Sequence, residues 1–315
     1  MKVLSLLPSA TEIVYALGAG DALCGVSCDC DYPADVSSKP VVSSRRLPIS
    51  DDTPQGAINE MVRQQLTVSD SIYTLDRPLI QALRPEVILA QDLCRVCAVP
   101  SGHVQEALDV IGCSADVLSL DPHRLGDVLA NILEVGSALG FSERAEDLVT
   151  ALGDRIEGVR RATADATRRR VVALEWQDPP FIGGHWVPEM IEIAGGRDFL
   201  GHPGARSRTL EWAEVAAASP DVIIYMPCGY GLEEAADQLT GLFAAKELRT
   251  TPAAQNGNVF VTDSSAYFSR SGPRLIDGVE ILAGILHPQL VPPPDATKAL
   301  RVSAQEAEIV TAALV

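Results

Sequence analysis

The period of the hydrophobic positions changes twice along the chain. Val3–Leu7 is a short continuous apolar run stopped by Pro8 and Ser9, which predicts a buried strand. Ser9 or Thr11 then opens a helix to about Leu17, closed by Gly18 and Gly20. Leu23–Ser27, Glu86–Ala90 and Asp116–Leu120 read as further strands. Pro78–Leu83 and Val104–Ile111 read as helices, with another over about 59–66. Residues 37–57 are rich in Ser, Pro and Asp and read as loop. Strand and helix thus alternate through residue 120, the pattern of an α/β lobe with a largely parallel sheet.

Residues 121–168 follow a different rule. Leu125, Val128, Leu129, Ile132, Val135 and Leu139 recur at helical spacing, and Ala145, Leu148, Val149, Leu152 and Ile156 resume it. This predicts one long helix, bent near Gly140 and ended by Arg168-Arg169-Arg170, whose cations suit the carboxyl end of the helix dipole. Alternation then restarts. Val171–Glu175, Asp221–Met226 and Val259–Thr262 read as strands, and Pro188–Ala194, Leu232–Leu239, Phe243–Leu248 and Pro273–Leu286 as helices. The expected plan is an amino-terminal α/β lobe over 1–120, a linking backbone helix over 121–168 and a second α/β lobe over 169–288. A Pro-rich linker and apolar, acidic tail over 289–315 complete it, the tail packing as a helix.

Composition narrows the classes of partner. With 47% hydrophobic residues over 315 positions the chain can bury a large core. Lys plus Arg number 25 against 42 Asp plus Glu, a net charge of −17. That balance excludes nucleic acid and anionic membrane surfaces, which need a positive face. No segment approaches the length of a membrane-inserted helix. Pro8, Ser9, Thr11 and Glu12 interrupt the first apolar run, so no leader core forms. The expectation is a cytoplasmic location; removal of a leader would instead place the protein in the periplasm or elsewhere outside the cytoplasm.

Ligands of open α/β sheets bind beyond the carboxyl ends of the strands, and two-lobed proteins bind them between the lobes. Five of the seven cysteines fall on predicted carboxyl-end loops: Cys28, Cys30, Cys94, Cys97 and Cys228. Cys24 and Cys113 sit in or beside apolar elements and read as core. Cys30, Cys94, Cys97 and Cys228, with Cys28 as a substitute, are a candidate thiolate set for zinc or an iron–sulfur cluster. A reactive dithiol, or cysteines acting as small apolar side chains, are the other readings of the same residues. Only 15 residues are aromatic, and two of the three tryptophans fall in the segment from Glu175 to Trp186. Trp176, Phe181 and Trp186, with Tyr32, Tyr230, Tyr267 and Phe268, are candidates for a hydrophobic wall against a large planar ligand. His185 is a candidate axial metal ligand, or else a structural residue. Arg270 and Arg274 would meet acidic or amide groups of such a ligand or pair with the acidic surface. Glu175 and Asp178 have no paired nucleophile, so binding without catalysis is expected, a cysteine-based redox role being the alternative.

Several short segments, in order, resemble one family. They are Leu7-Pro8-Ser9-Ala10-Thr11-Glu12, Gly25-Val26-Ser27 with Asp31-Tyr32-Pro33, and Arg84-Pro85-Glu86-Val87-Ile88. Pro179-Pro180-Phe181, Ala194-Gly195-Gly196, Ser219-Pro220-Asp221-Val222-Ile223 and Tyr267-Phe268 through Gly272-Pro273-Arg274 continue the series. Over about residues 2–288 the chain resembles the helical-backbone (class III) substrate-binding proteins of ABC importers for vitamin B12, haem and ferric siderophores, and most of all their cobalamin-binding branch. The resemblance implies a periplasmic-binding-protein fold that holds cobalamin, a corrinoid or a ferric siderophore in the cleft between lobes. It also implies an exposed Glu on each lobe that docks on a permease. Asp76-Arg77-Pro78-Leu79 has no Glu where the first would stand, while Glu211 or Glu214 can supply the second, so permease docking is not carried over. Together these readings predict a non-enzymatic protein holding a metal-containing ligand, cobalamin-like or cysteine-ligated. The alternatives are a cytoplasmic redox or metallocluster protein on the same fold, and an importer's substrate-binding protein for cobalamin or ferric siderophore.

Overall fold

The computed structural model describes residues 1–50, 53–69, 71–93, 100–111 and 114–303, excepting the side chains of 103, 110 and 111. The chain forms two compact units. The first comprises Met1–Pro122, Gly126–Ala151 and Ser271–Pro273; the second His123–Leu125, Leu152–Arg270 and the described part of Arg274–Val315.

In the first unit β1 (Val3–Ser5), β2 (Leu23–Val26), β5 (Val87–Ala90) and β6 (Asp116–Ser119) form a wholly parallel sheet in the order β2-β1-β5-β6. β1 and β5 are buried throughout, which is why they read as unbroken apolar runs rather than alternating ones. Gly25 stands where a Cβ would press on Leu4 and Leu83, so a bare backbone is needed for β2 to lie against β1. A separate antiparallel pair joins β3 (Ser43–Arg45), which lies in the stretch expected to be loop, to β4 (Tyr73–Leu75). The β3 sequence, Ser-Ser-Arg, carries no apolar period to announce it. The first helix runs Pro8–Ala16 behind Leu7, with no side-chain cap. Neither Ser9 nor Thr11 caps it: Pro8 occupies the first turn, where its missing N–H costs nothing. Thr11 is buried and its hydroxyl donates to Ser5 Oγ at 2.8 Å.

The expected single linking helix is two helices, Leu125–Leu139 and Ser142–Ala162. Gly140 takes φ +78°, and the Phe141 N–H returns to the Gly136 carbonyl at 2.7 Å, the wrap that ends a helix rather than bends it. The two compact units divide within the second of these helices, after Ala151. Arg169 and Arg170 do not end a helix: they open a strand, where Arg170 pairs with Asp221 at 2.8 Å.

The second unit is built on β7 (Arg169–Gln177), β10 (Val222–Tyr225) and β11 (Val259–Thr262), which are parallel. β12 (Ala299–Val302) adds antiparallel to β11. One edge of β7 carries β9 (Gly196–Asp198), parallel, at its start and β8 (Pro180–Ile182), antiparallel, at its end. β8 lies in the aromatic segment expected to have no regular structure, and β12 where linker gives way to tail; the rest of the tail, 304–315, lies outside the described residues. One face of this sheet buries Val172, Leu174, Ile223 and Tyr225 against Leu242, Phe243 and Leu248. The long apolar helix Leu275–Leu286 is buried along nearly its whole length. Arg155 ties the Ser142–Ala162 helix to it through Asp277 at 2.5 Å and Glu280 at 2.6 Å.

Gly136 is where the helices Leu125–Leu139 and Ser142–Ala162 meet, since a Cβ there would collide with that of Ala145. Gly136→Val should therefore lower stability by about 2 kcal/mol through overpacking, despite a better helix former, as a drop in the thermal midpoint would record.

Candidate functional site

In the first unit the loop after β2 carries Cys28 and Cys30. Cys30 Sγ lies 3.1 Å from Thr11 Oγ1 and 3.6 Å from Ser27 Oγ. Cys28 is exposed; its N–H donates to Ser43 Oγ at 3.0 Å, and the Ser43 hydroxyl donates to Cys28 Sγ at 3.5 Å. Between them Asp29 anchors the loop. It accepts from the Tyr73 hydroxyl at 2.6 Å and from Arg45 at 2.7 and 2.9 Å. The ring of Tyr73 is buried, so Asp29 satisfies a hydroxyl that would otherwise be stranded. Tyr32 stands next in the chain and is exposed. After β5, Asp92 accepts from the Ser101 N–H at 2.8 Å and the Ser119 hydroxyl at 3.2 Å. Cys94, Cys97 and Cys113 lie outside the described residues.

In the second unit the carboxyl ends of β7 and β10 meet the start of β8. The rings of Trp176 and Tyr230 pack edge to face at 5.7 Å, and Phe181 pairs with Trp176 across β7 and β8. All three are half-buried. Trp186 and Phe268 are not wall residues. Trp186 is 6% and Phe268 2% exposed, and the indole N–H donates to the Phe268 carbonyl at 2.8 Å, which makes both part of the core. The His185 ring turns into the protein, 5.9 Å from that of His123 and 5.6 Å from that of Trp186, with Nε2 buried and unbonded. Burial, then His123 and Arg206, hold its pKa below the usual imidazole value. Tyr267 receives Lys298 and Arg274 over its ring, at 5.4 and 6.0 Å.

The half-buried side chain of Glu175 is the residue whose importance the sequence left unseen. Its Oε1 accepts from the Gly184 N–H at 3.3 Å and its Oε2 from the Ser207 hydroxyl at 2.6 Å. Desolvation outweighs both bonds and pushes the carboxyl up to about 7. Cys228 follows β10, its N–H donating to the Glu175 carbonyl at 3.1 Å. Its thiol is pushed up to about 11 by desolvation and then by Glu175, against a hydrogen bond from Ser269 and the charge of Arg270. By surface area Cys228 is exposed and Glu175 half-buried. Desolvation likewise raises the thiols of Cys28 and Cys24.

This arrangement does not support the expected thiolate centre. Cys28, Cys30 and Cys228 each bond to different hydroxyl groups, and burial raises the thiols of Cys24, Cys28 and Cys228 above their ordinary value. Among the described residues no three His, Cys, Asp or Glu stand close enough to hold a metal ion. Glu211 and Glu214 are occupied locally as a capping box on the helix Trp212–Ala217, with Glu214 also paired to Arg208 at 3.2 Å. No helix among the described residues is long and apolar enough to cross a membrane.

Two α/β units built on parallel strands and linked through helix have the plan of a periplasmic-binding-protein fold. The chain belongs to the periplasmic binding protein family, whose sequence profile matches residues 3–266. It is 24% identical over 295 residues to the ABC transporter substrate-binding lipoprotein YvrC of Bacillus subtilis, covering 91% of this chain and 80% of that one. It is 24% identical over 283 residues to the vitamin B12-binding protein of Pectobacterium atrosepticum, covering 87% and 84%. Among solved structures it matches a periplasmic heme-binding protein of Pseudomonas aeruginosa with a TM-score of 0.70, at 20% identity, over 96% of this chain and 99% of that one. The periplasmic vitamin B12-binding protein BtuF of Vibrio cholerae matches with a TM-score of 0.66, at 20% identity, over 90% and 96%. The fold expected from the segment order is thus the fold observed.

Because the thiols are held neutral, alkylation of Cys228 by iodoacetamide should be slow at neutral pH and still accelerating at pH 10, followed by mass spectrometry of the labelled peptide. A thiolate held ready for metal would react to its full extent near neutrality.

Proposed function

We propose that the protein is the solute-capturing component of an ABC importer, acting outside the cytoplasm on a corrinoid such as cobalamin. Haem and ferric siderophores are the competing ligands. The observation that carries the reading is the half-buried aromatic group of Trp176 at the end of β7, Phe181 in β8 and Tyr230 after β10. Such faces stack on large planar or apolar ligands, and edge-to-face packing fixes them before binding, which lowers the ordering cost. Arg270, in the segment after β11 of the same unit, is a further candidate for acidic or amide substituents, and Tyr32 is a candidate contact on the first unit. Tyr267, already under Lys298, is a supporting residue rather than a wall.

The relatives support this reading through their names: a substrate-binding lipoprotein and vitamin B12-binding proteins. They favour an extracytoplasmic site of action over a cytoplasmic one, and a permease as the partner. Binding needs no covalent step, so no enzymatic activity is assigned.

The test is titration of the metal-free protein with cyanocobalamin, hemin and a ferric siderophore, followed by tryptophan fluorescence and calorimetry. Saturable one-to-one binding of cyanocobalamin is expected. Trp176→Ala should weaken it about tenfold through lost stacking and apolar contact, while leaving the fold intact. Preference for hemin or the siderophore would reassign the ligand, and failure of all three would overturn the reading. Iron with acid-labile sulfide in anaerobically purified protein would restore the thiolate centre.

A further inference from the structure

The segment Gly204–Leu210 is strapped along residues 180–185 by four backbone bonds. The Leu210 N–H donates to the Pro180 carbonyl at 2.7 Å and the Ile182 N–H to the Arg208 carbonyl at 3.1 Å. The His185 N–H donates to the Ala205 carbonyl at 2.6 Å, and the Gly204 N–H to the His185 carbonyl at 2.8 Å. At the middle of the strap the backbone of Arg206–Ser207 lies so close to Gly184 that a Cβ there would collide with it. Beneath that point Glu175 reaches both sides at once: Gly184 N–H on one oxygen, the Ser207 hydroxyl on the other.

The donor set of this clasp fits a neutral acid. A protonated carboxyl has one oxygen that only accepts and one that donates. Gly184 offers a donor to Oε1, and Ser207 offers a hydroxyl that can turn to accept the proton on Oε2. Both bonds survive protonation and no desolvated charge remains. Ionised, the same carboxylate keeps two donors but has no ion-pair partner among the described residues. The neighbouring charges do not supply one. Cys228 is a neutral thiol, Arg270 acts on that thiol, and on the strap side His185 is held neutral beside His123 and Arg206.

We infer that Glu175 is a proton-closed latch: its neutral carboxyl clasps the strap to β8, and its ionisation releases the strap. The inference rests on the reading above only for its consequence, because Phe181 is bridged to Thr209 of the strap and paired to Trp176. A closed strap therefore fixes the aromatic group, and an open one loosens it. Glu175 is a positioning residue, not a ligand contact.

The sign follows from linkage. A carboxyl whose pKa is raised to about 7 in the closed form, against 4.5 when solvated, favours closure at low pH. Its stabilisation is complete below about 4.5 and fades as pH rises to about 7. If the open strap returns the carboxyl to its ordinary value, the opening equilibrium rises roughly 25-fold between pH 5.5 and pH 8.

Hydrogen exchange on the ligand-free protein measures this directly, at the amides of Ile182, His185 and Gly204 and corrected for intrinsic rates. The wild type should show the rise. Glu175→Gln, whose amide reproduces the neutral acid by donating to Ser207 and accepting from Gly184, should stay closed at both pH values. Ser207→Ala should open the strap even at pH 5.5. An equal rise in Glu175→Gln, or no rise in the wild type, would overturn the latch. The carboxyl carbon of Glu175 should also titrate near 7 by NMR in the wild type; titration near 4.5 would overturn it without any variant. Cyanocobalamin affinity should fall with rising pH in the wild type and not in Glu175→Gln. Unchanged wild-type affinity alongside changed exchange would sever the latch from binding. Failure of both proteins to bind would sink the ligand reading alone, since the exchange result stands without a ligand.

Discussion

The second unit depends on a mismatch in strand length. β7 has nine residues and its parallel neighbour β10 four, paired from Val171 to Leu174. Glu175, Trp176 and Gln177 therefore overhang the sheet, and their backbone polar groups need partners that β10 does not extend to provide. The chain supplies them by doubling back: β8 pairs with the overhang, Cys228 N–H takes the Glu175 carbonyl, and the Gly204–Leu210 segment pairs in turn with β8. A strand continued past its sheet thus builds a local antiparallel platform on a parallel frame. The register shifts between Leu174 and Trp176, so Glu175 has no partner opposite it on β8 and its side chain is left to bond Gly184 and Ser207.

The two units solve the same problem of holding a carboxyl-end loop with a carboxylate, and they solve it differently. Asp29 meets a guanidinium and a phenol, so its charge is compensated at the point of contact. Glu175 meets an amide and a hydroxyl, neutral dipoles that orient an acid without neutralising it. The second arrangement responds to protons, because desolvation is the dominant influence on the group.

What could be read from the sequence follows from how each element is stabilised. Buried parallel strands declare themselves, since both faces must be apolar: Val3–Ser5, Val87–Ala90 and Val222–Tyr225 were all expected within a residue or two. Strands held mainly by backbone pairing were invisible. β3 is Ser-Ser-Arg, and β8 begins with a proline after another proline. The break at Gly140 was readable as a bend but not as a terminus, because apolar spacing continues on both sides while the left-handed φ is a property of the backbone. Within the site, Trp176, Phe181 and Tyr230 do come together, whereas Trp186 and Phe268 follow the same aromatic logic into the core. Sequence position cannot separate these outcomes, since each residue lies at or soon after the end of a stretch that reads as strand, and only the packing decides which way it turns. Glu175 was noticed only as a carboxylate. Its partner Ser207 is 32 residues away, with no motif linking the two.

The cysteines show why shared topology is weaker than shared chemistry. Parallel strands deliver their carboxyl ends to one edge of a sheet, so any residue after a strand arrives there, whatever its role. That delivery made five cysteines look convergent. Each described one of them instead has its own hydroxyl: Thr11 and Ser27 for Cys30, Ser43 for Cys28, Ser269 for Cys228. A hydroxyl can donate to sulfur without drawing off its proton, so it supports a thiol in place and leaves it a thiol. A metal centre needs the reverse, a set of thiolates facing one point with their charge gathered by a cation. Thr11 and Ser43 lie on different elements from each other, and they draw Cys28 and Cys30 to different partners although one residue separates them in sequence. For Cys28, Cys30 and Cys228 the hydroxyl partners are thus separate small polar contacts on the loops that follow β2 and β10, whereas Cys94 and Cys97 lie outside the described residues.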